Sequence, residues 1–420
     1  MHTISCRFFY YFIVSFLTFF TINFQDSHGF GFLLPNQDAE AMARGNAFVA
    51  TADNPSAIYY NPAGITHLEK QNLQFNLYAI TVKSEYRSLD GHHSDTDGEL
   101  QSIPSFFYTV SPKNSPFSFG LGLYAPYGLA LEWPEDSGFR SIVTEAKLQY
   151  LTFNPVVALQ VSRSFSIAAG PTINYAKISI ERGIFVPSSL YNNPQNSLFG
   201  LPKSDEFEVE GDDIAYGFNI GLLWQPIRQL SFGATYRSAT TMNFRGNSEA
   251  NPYTPSEITT VGVDFPQQVV VGVSYRPTPS WNFEFNAHWS DWDTLNSVTI
   301  QKNSGDVVLP LNWKASWMYE FGASYYFQNG LTLSAGYVFS ENSVPNANYF
   351  PALPDTDLHF MSCGLSYRYK NWRYAAAYHY VTGPWNHVRN SETTSMVGET
   401  ADGDYKFDNH AFSVSIGYQF

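Results

Sequence analysis

The chain has 420 residues, a net charge of −14 and only 14% charged residues. This composition argues against an intrinsically disordered chain, and the lack of a lysine and arginine cluster argues against nucleic-acid binding. No internal stretch approaches the roughly 18 apolar residues of a spanning helix, which excludes a helical membrane protein. Aromatic residues make up 17% of the chain, a content that suits a membrane β-barrel with aromatic girdles.

Residues 1–29 have the organisation of a secretory signal peptide. Arg7 supplies the positive start, and a mostly apolar run follows from Phe8 to Phe24. Ser27 and Gly29 fit the small-x-small pattern of a cleavage site, which predicts cleavage after Gly29. A single membrane anchor is the alternative, but the run is short and polar at its end.

Residues 30–71 lack the two-residue period of a strand and carry helix signals. Asp38 is placed to cap a helical run over Ala39–Arg44, and Pro55–Tyr60 predicts a second short helix with proline in its first turn. The barrel predicted for the rest of the chain has a lumen that side chains alone would not fill, since about eight strands is that limit. We therefore expect residues 30–71 to form a plug inside the barrel, with a periplasmic tail as the alternative.

Residues 72–420 alternate apolar with small or polar side chains, as in Tyr319–Phe327 and Leu331–Phe339. In a membrane barrel the apolar set faces lipid and the other set faces the lumen. Short turns are predicted at 112–116, 162–164, 226–229, 277–279, 328–330 and 370–371. Long polar connections are predicted at 88–99, 129–144, 183–205, 246–257, 303–312, 341–357 and 383–406. Short and long connections alternate, which predicts an all-β, antiparallel up-and-down transmembrane barrel of about fourteen strands.

The last strand ends at Phe420, and its alternate residues Phe412, Val414, Ile416 and Tyr418 share one face with it. A terminal aromatic residue on such a strand resembles the signal by which outer-membrane barrels are recognised for assembly. We therefore expect the barrel assembly machinery to recognise Phe420, and we expect a monomer in the bacterial outer membrane.

The segment Thr51–Ile65, with the triplet Asn61-Pro62-Ala63, resembles the plug motif of the FadL family. These proteins are outer-membrane transporters of long-chain fatty acids and other hydrocarbons. The likeness extends along essentially the whole mature chain, but it departs in the lengths and composition of the loops. The resemblance implies that substrate is captured from outside, held in an apolar pocket and released sideways through the wall into the membrane.

Two sets of site residues follow from this resemblance. Arg182 shares its strand face with the lumenal residues, and the matching family arginine helps to bind the ligand carboxylate; pairing with a nearby acid is the alternative. Lys302 is a weaker candidate for a second cation. Pro126-Tyr127-Gly128 matches a kinked segment of the family's third strand, and proline and glycine there predict failed pairing and a lateral opening. A strand that simply ends near Pro126 is the alternative.

Motifs for chemistry are sparse. His92-His93 lies in an acidic loop but matches no metal-site spacing, and Cys363 is the one cysteine left after signal removal, so we expect no metal, cofactor or disulfide. No Gly-x-Ser-x-Gly elbow is present, and we expect no enzyme. A general porin for polar solutes and a structural or adhesive barrel are the alternatives to a transporter of hydrophobic molecules.

Overall fold

A computed structural model describes residues 32–96, 100–184, 206–251, 254–353, 355–395 and 398–420. The predicted signal peptide, residues 1–29, lies outside these ranges. So does most of the long connection predicted at 183–205.

Two short α-helices open the described chain, α1 at Ala39–Ala43 and α2 at Ala57–Tyr60, and a 3₁₀ helix covers Pro62–His67. Both α-helices lie within the predicted helical runs. Further 3₁₀ turns lie at Trp292–Thr294 and Asn346–Asn348. No helix in the described ranges is long and apolar enough to cross a membrane.

The strands of the described chain are numbered in order. They are β1 Lys70–Arg87, β2 His93–Asp95, β3 Leu100–Ser111, β4 Phe117–Tyr124, β5 Gly128–Glu132, β6 Glu145–Ser162, β7 Phe165–Gly183, β8 Glu206–Ile227, β9 Leu230–Arg237, β10 Thr240–Asn251, β11 Thr254–Phe265, β12 Gln268–Thr278, β13 Trp281–Ser290, β14 Ser297–Lys302, β15 Val307–Pro310, β16 Ser316–Tyr326, β17 Leu331–Ser340, β18 Leu358–Tyr369, β19 Trp372–Thr382, β20 Asn386–Val388 and β21 Gly403–Gln419.

These strands form one closed antiparallel barrel. Its ends join where β1 pairs with β21, from Asn72 opposite Gln419 to Arg87 opposite Asp404. Seven strands of the wall consist of two consecutive segments, such as β4 with β5 and β9 with β10, so the 21 segments form a wall of 14 strands. The predicted strand number is confirmed, and the six predicted short turns all fall between consecutive strands.

Several of the predicted long loops are partly strand, which corrects the sequence prediction. The connection predicted at 246–257 contains the end of β10 and the start of β11, and those at 88–99 and 303–312 contain β2 and β15. Outside the bilayer neither face of a strand has to be apolar, so the two-residue period disappears while backbone pairing continues. Glu249 on β10, for example, lies directly opposite Glu208 on β8.

The two faces of the wall differ as the alternation predicts. On β7, Ile173 and Tyr175 point outward and are 40% and 44% exposed, whereas Asn174 and Ala176 point inward and are 3% and 0% exposed. An apolar outer face with a small or polar inner face is the arrangement of a transmembrane barrel.

The N-terminal segment, residues 32–68, packs against the inward faces of strands on both sides of the wall. Helix α1 contacts β17, β18, β19 and β21, and the first 3₁₀ helix contacts β3, β4 and β6–β8. Glycines of the wall make this approach possible. A Cβ atom built on Gly336 would lie 2.1 Å from the Arg44 carbonyl carbon, and one on Gly233 would lie 2.1 Å from the Val49 carbonyl oxygen.

We predict that Gly336→Ala destabilises the folded barrel by about 1–3 kcal/mol, because the backbone of the N-terminal segment has to move. The measurement is the temperature at which the purified protein loses its folded electrophoretic mobility. Gly417→Ala is the matched control, since its Cβ would meet nothing nearer than 3.4 Å. Equal effects of the two substitutions would contradict a specific close contact at Gly336.

Candidate binding site in the barrel lumen

The third strand of the wall is interrupted between β4 and β5. Strand β4 pairs with both β3 and β6, whereas β5 pairs with β6 and, within the described ranges, with no other strand. The chain advances four residues from Tyr124 to Gly128, while their partners on β6 advance three, from Thr152 to Gln149. The intervening residues 125–127 therefore leave the plane of the wall and free backbone groups from the sheet.

The N-terminal segment supplies partners for these freed groups. The Leu34 amide donates to the Pro126 carbonyl at 2.8 Å, and the Gly128 amide donates to the Phe32 carbonyl at 2.9 Å. The Gln37 side-chain amide also donates to the carbonyl of Ala125, at 2.7 Å. A break at membrane depth is tolerated only where freed backbone groups are satisfied inside the barrel, and this arrangement meets that condition.

An aromatic cage surrounds Phe32 next to the break. Its ring lies 4.8 Å from Trp292, 5.4 Å from Phe265, 5.7 Å from Trp313 and 6.0 Å from Tyr127, centroid to centroid. The cage places a large apolar surface directly behind the interrupted strand. Sequence reasoning did not assign Trp292, Trp313 or Phe265 to a site, because the tryptophans lie outside the regular strands and carry no alternation signal.

Arg182 and Lys302 meet at one aromatic ring. Arg182 points inward and lies directly opposite Phe207, with its guanidinium carbon 5.0 Å from the ring centroid. The Lys302 ammonium lies 4.9 Å from the same centroid and 3.8 Å from a Glu257 carboxylate oxygen. No acid in the described ranges forms an ion pair with Arg182. Two cations thus lie at one inward-facing aromatic ring, and both can donate hydrogen bonds to the oxygens of a carboxylate.

The triplet Asn61-Pro62-Ala63 connects the N-terminal segment to β8. The Asn61 side-chain amide donates to the carbonyls of Val49 at 2.8 Å and Leu222 at 2.9 Å, and its oxygen accepts from the Ala63 amide at 3.2 Å. Pro62 begins the first 3₁₀ helix, where a missing N–H costs nothing. The triplet therefore fixes the path of the segment and does not line the aromatic cage.

Asp38 is fully buried and joins the N-terminal segment to the wall. It occupies the N-cap of α1, but its carboxylate makes no cap bond, contrary to expectation. It instead accepts hydrogen bonds from Asn54 at 2.6 Å, Ser56 at 3.1 Å, Gln74 of β1 at 2.7 Å and Ser415 of β21 at 2.9 Å. Its oxygens are taken by donors more distant in sequence, and the α1 amide of Ala39 donates to Ser415 instead.

Glu284 of β13 is a second buried carboxylate that binds the segment. It accepts from the Ala50 amide at 2.7 Å and from the Thr51 amide and hydroxyl, and it pairs with Arg44 at 3.2 Å. Both partners of the ion pair are nearly inaccessible to solvent. A lone glutamate in a strand gives no sequence signal for this role, so it was not among the predicted site residues.

The side of the segment next to the short turns of the barrel carries a third charged network. Arg373 of β19 binds Glu40 with two nitrogens and lies 3.7 Å from Asp53, which also pairs with Arg276 of β12 at 3.4 Å. Burial opposes ionisation of Asp53, but the charges of Arg373 and Arg276 outweigh it and hold the pKa of this carboxyl below its ordinary value. The segment is thus tied to strands at separate positions around the wall.

The acidic loop that contains His92-His93 brings together Glu85, His93 and Asp95, whose ligand atoms lie within 4.8 Å of one another. The Lys83 ammonium lies 3.1 Å from Asp95 and 3.5 Å from Glu85. Lys83 therefore already pairs with both carboxylates, and the cluster is explained as a surface ion-pair network.

We predict that Glu284→Ala loosens the N-terminal segment, because it leaves the Arg44 charge buried without its partner, a change that costs about 3–5 kcal/mol. In planar bilayers the variant should show a higher single-channel conductance than the unaltered protein. Glu210→Ala, which removes an exposed partner of Lys177, is the control and should leave conductance unchanged. Conductance equal to that of the control would mean that this anchor does not hold the segment in place.

A family model described as outer membrane protein transport protein (OMPP1/FadL/TodX) matches residues 25–420 of the chain. Among curated relatives, the long-chain fatty acid transport protein of Escherichia coli strain K12 is 23% identical, over 76% of this chain and 80% of that protein. Outer membrane protein P1 of Haemophilus influenzae is 22% identical, over 88% of this chain and 91% of that protein.

Solved structures show the same fold. A FadL homologue of Pseudomonas aeruginosa superposes with a TM-score of 0.80 at 20% identity, covering 93% of this chain and 100% of that one. The toluene transporter TodX of Pseudomonas putida superposes with a TM-score of 0.72 at 17% identity, with the same two coverages.

Proposed function

The chain belongs to the OMPP1/FadL/TodX family of outer-membrane transport proteins, and from this premise we propose that it takes up hydrophobic molecules. The substrates are long-chain fatty acids or related hydrocarbons, as the names of its relatives suggest. The observation that carries the proposal is the aromatic cage directly behind the interrupted third strand. Apolar surface next to a gap in the wall lets a hydrocarbon pass into lipid without entering water, which saves about 0.8 kcal/mol per methylene.

The domain organisation is part of the proposal. Residues 1–29 are a signal peptide, residues 30–71 are the plug and residues 72–420 are the barrel. The burial of residues 32–68 and their anchors at Asp38, Asp53 and Glu284 support a plug over a periplasmic tail. A filled lumen also disfavours a general porin for polar solutes.

Arg182 and Lys302 are the proposed receptors for an anionic head group. Their shared position at Phe207 supports this role, since the arginine fork binds a carboxylate with two bonds. The apolar tail of the ligand then lies along the lumen. Neutral hydrocarbons do not use this pair, so its contribution distinguishes fatty acids from alkanes and aromatics.

Release is proposed to be lateral, at Pro126-Tyr127-Gly128. The segment Phe32–Leu34 occupies the break and has to move before substrate leaves, because it supplies the backbone partners of Pro126 and Gly128. The exit is into the lipid of the outer membrane. No enzymatic step and no cofactor are part of this mechanism.

Other partners also belong to the proposal. The barrel assembly machinery recognises the last strand through Phe420, and the barrel is a monomer. An adhesive role for the external loops is a separate function, for which binding of the cells or proteins of a host would be the test.

We predict that Arg182→Ala weakens the binding of a long-chain fatty acid by about 1.5–3 kcal/mol, the scale of a charged hydrogen bond. Binding of an uncharged hydrocarbon of the same length should hardly change. The measurement is titration of both ligands into the purified barrel, with Arg163→Ala on an exposed turn as the control. Equal losses for the two ligands would indicate a structural role, and no loss would remove Arg182 from the site.

We predict that a disulfide between residues 33 and 127 blocks transport. Leu33 and Tyr127 form an isolated antiparallel bridge. The backbone hydrogen bonds on either side of them join residues 34 to 126 and 128 to 32, so the two residues are a non-hydrogen-bonded pair, in which side chains lie closest. Leu33→Cys with Tyr127→Cys, in a Cys363→Ser background, should block fatty-acid uptake when oxidised and restore it on reduction. Uptake at the same rate in both states would place the exit elsewhere.

A further inference from the structure

An apolar concavity lies on the outer side of the wall, away from the lumen. It has a volume of about 600 Å³ and crosses β12, β13, β16 and β17. Ala323 and Ala335 line its floor, and Tyr275, Phe283, Phe321 and Tyr337 form its rim. We call it the outer groove.

The register of the strands explains the outer groove. Ala323 lies directly opposite Ala335, and the next outward pair is Phe321 opposite Tyr337. On the other side Ala323 lies opposite Phe283 of β13. Two paired alanines are thus surrounded by large aromatic rings on the outward face. The groove has depth because the alanine side chains are much shorter than the rings around them.

On the inner face of the wall, the N-terminal segment lies directly behind the outer groove. Gly322 and Gly336 are paired beside the two alanines and point inward. A Cβ atom on either would come within 2.6 Å of backbone atoms of Arg44. The wall is therefore one backbone thick here, with the N-terminal segment on one side and the groove on the other.

We propose that the outer groove binds one acyl chain of an outer-membrane phospholipid. The groove lies on the lipid-facing side of a transmembrane barrel and is continuous with its exposed apolar face. An empty dent loses the dispersion contacts of its lining, and water gains few hydrogen bonds from an almost wholly apolar surface. A flexible acyl chain fills the dent and packs its methylenes on the aromatic faces. This site does not depend on the proposed transport function.

The test uses the full-length barrel reconstituted in bilayers that contain a phosphatidylethanolamine with a diazirine on one acyl chain. After illumination, the crosslinked residues are mapped by mass spectrometry. Labelling should concentrate on the lining of the outer groove, and a fluid lipid belt without a site would label all outward strands evenly. Even labelling of all outward strands in the unaltered protein would overturn the proposal.

Filling the groove gives the second measurement. Ala323→Phe with Ala335→Phe should reduce crosslinking at the rim at least fivefold, and Ala169→Phe, at an outward alanine of β7, should not. Folding is checked by heat-modifiable mobility. Labelling by a diazirine-bearing free fatty acid but not by the phospholipid would overturn the proposal. So would crosslinks between two barrels at this face, because a second copy would then be the occupant.

Discussion

In a membrane wall every backbone amide and carbonyl needs a partner, because an unpaired group in hydrocarbon costs several kcal/mol. The interrupted third strand depends on this constraint. Residues 125–127 leave the sheet, and the N-terminal segment returns to supply the missing donors and acceptors at Ala125, Pro126 and Gly128. The break in the wall and the position of Phe32–Leu34 are therefore coupled, because each supplies hydrogen-bond partners to the other.

The strength of the attachment changes along the N-terminal segment. From Asp38 onward, buried carboxylates and arginines join it to the wall, as at Glu284 and Arg373. Phe32–Leu34 makes no charged contact, and two backbone hydrogen bonds and the aromatic cage hold it at the break. The charged attachment is therefore absent at the break, which is the place where the proposed lateral exit requires the segment to move.

Small residues have two separate roles in the wall. Inward glycines such as Gly233 and Gly336 let the backbone of the N-terminal segment lie against the strands. Outward alanines at 323 and 335 leave a concavity on the lipid side of the same two strands as Gly336. Because successive side chains of a strand point to opposite faces, neighbouring residues can be selected separately for contacts in the lumen and in the bilayer.

Local features of the chain were sufficient to predict the architecture. The two-residue period, the proline and glycine turns and the alternation of short with long connections predicted the barrel, its strand number and the inward face of Arg182. They also predicted helical structure at 39–44 and unpaired backbone near Pro126. Each of these properties depends on neighbours within a few residues, because the local geometry of a strand, turn or helix sets where side chains point and which backbone groups are paired.

The composition of the site was decided only by closure of the barrel. Arg182 and Lys302 come together at Phe207, and Trp292 and Trp313 surround Phe32, because the curvature and register of the sheet bring distant strands to one lumen. Glu284 and Asp38 are ordinary acids in the sequence, and they became anchors because donors distant in the chain lie within 3.5 Å of them. A contact across the lumen depends on both strands at once, so no local pattern in either strand predicts it.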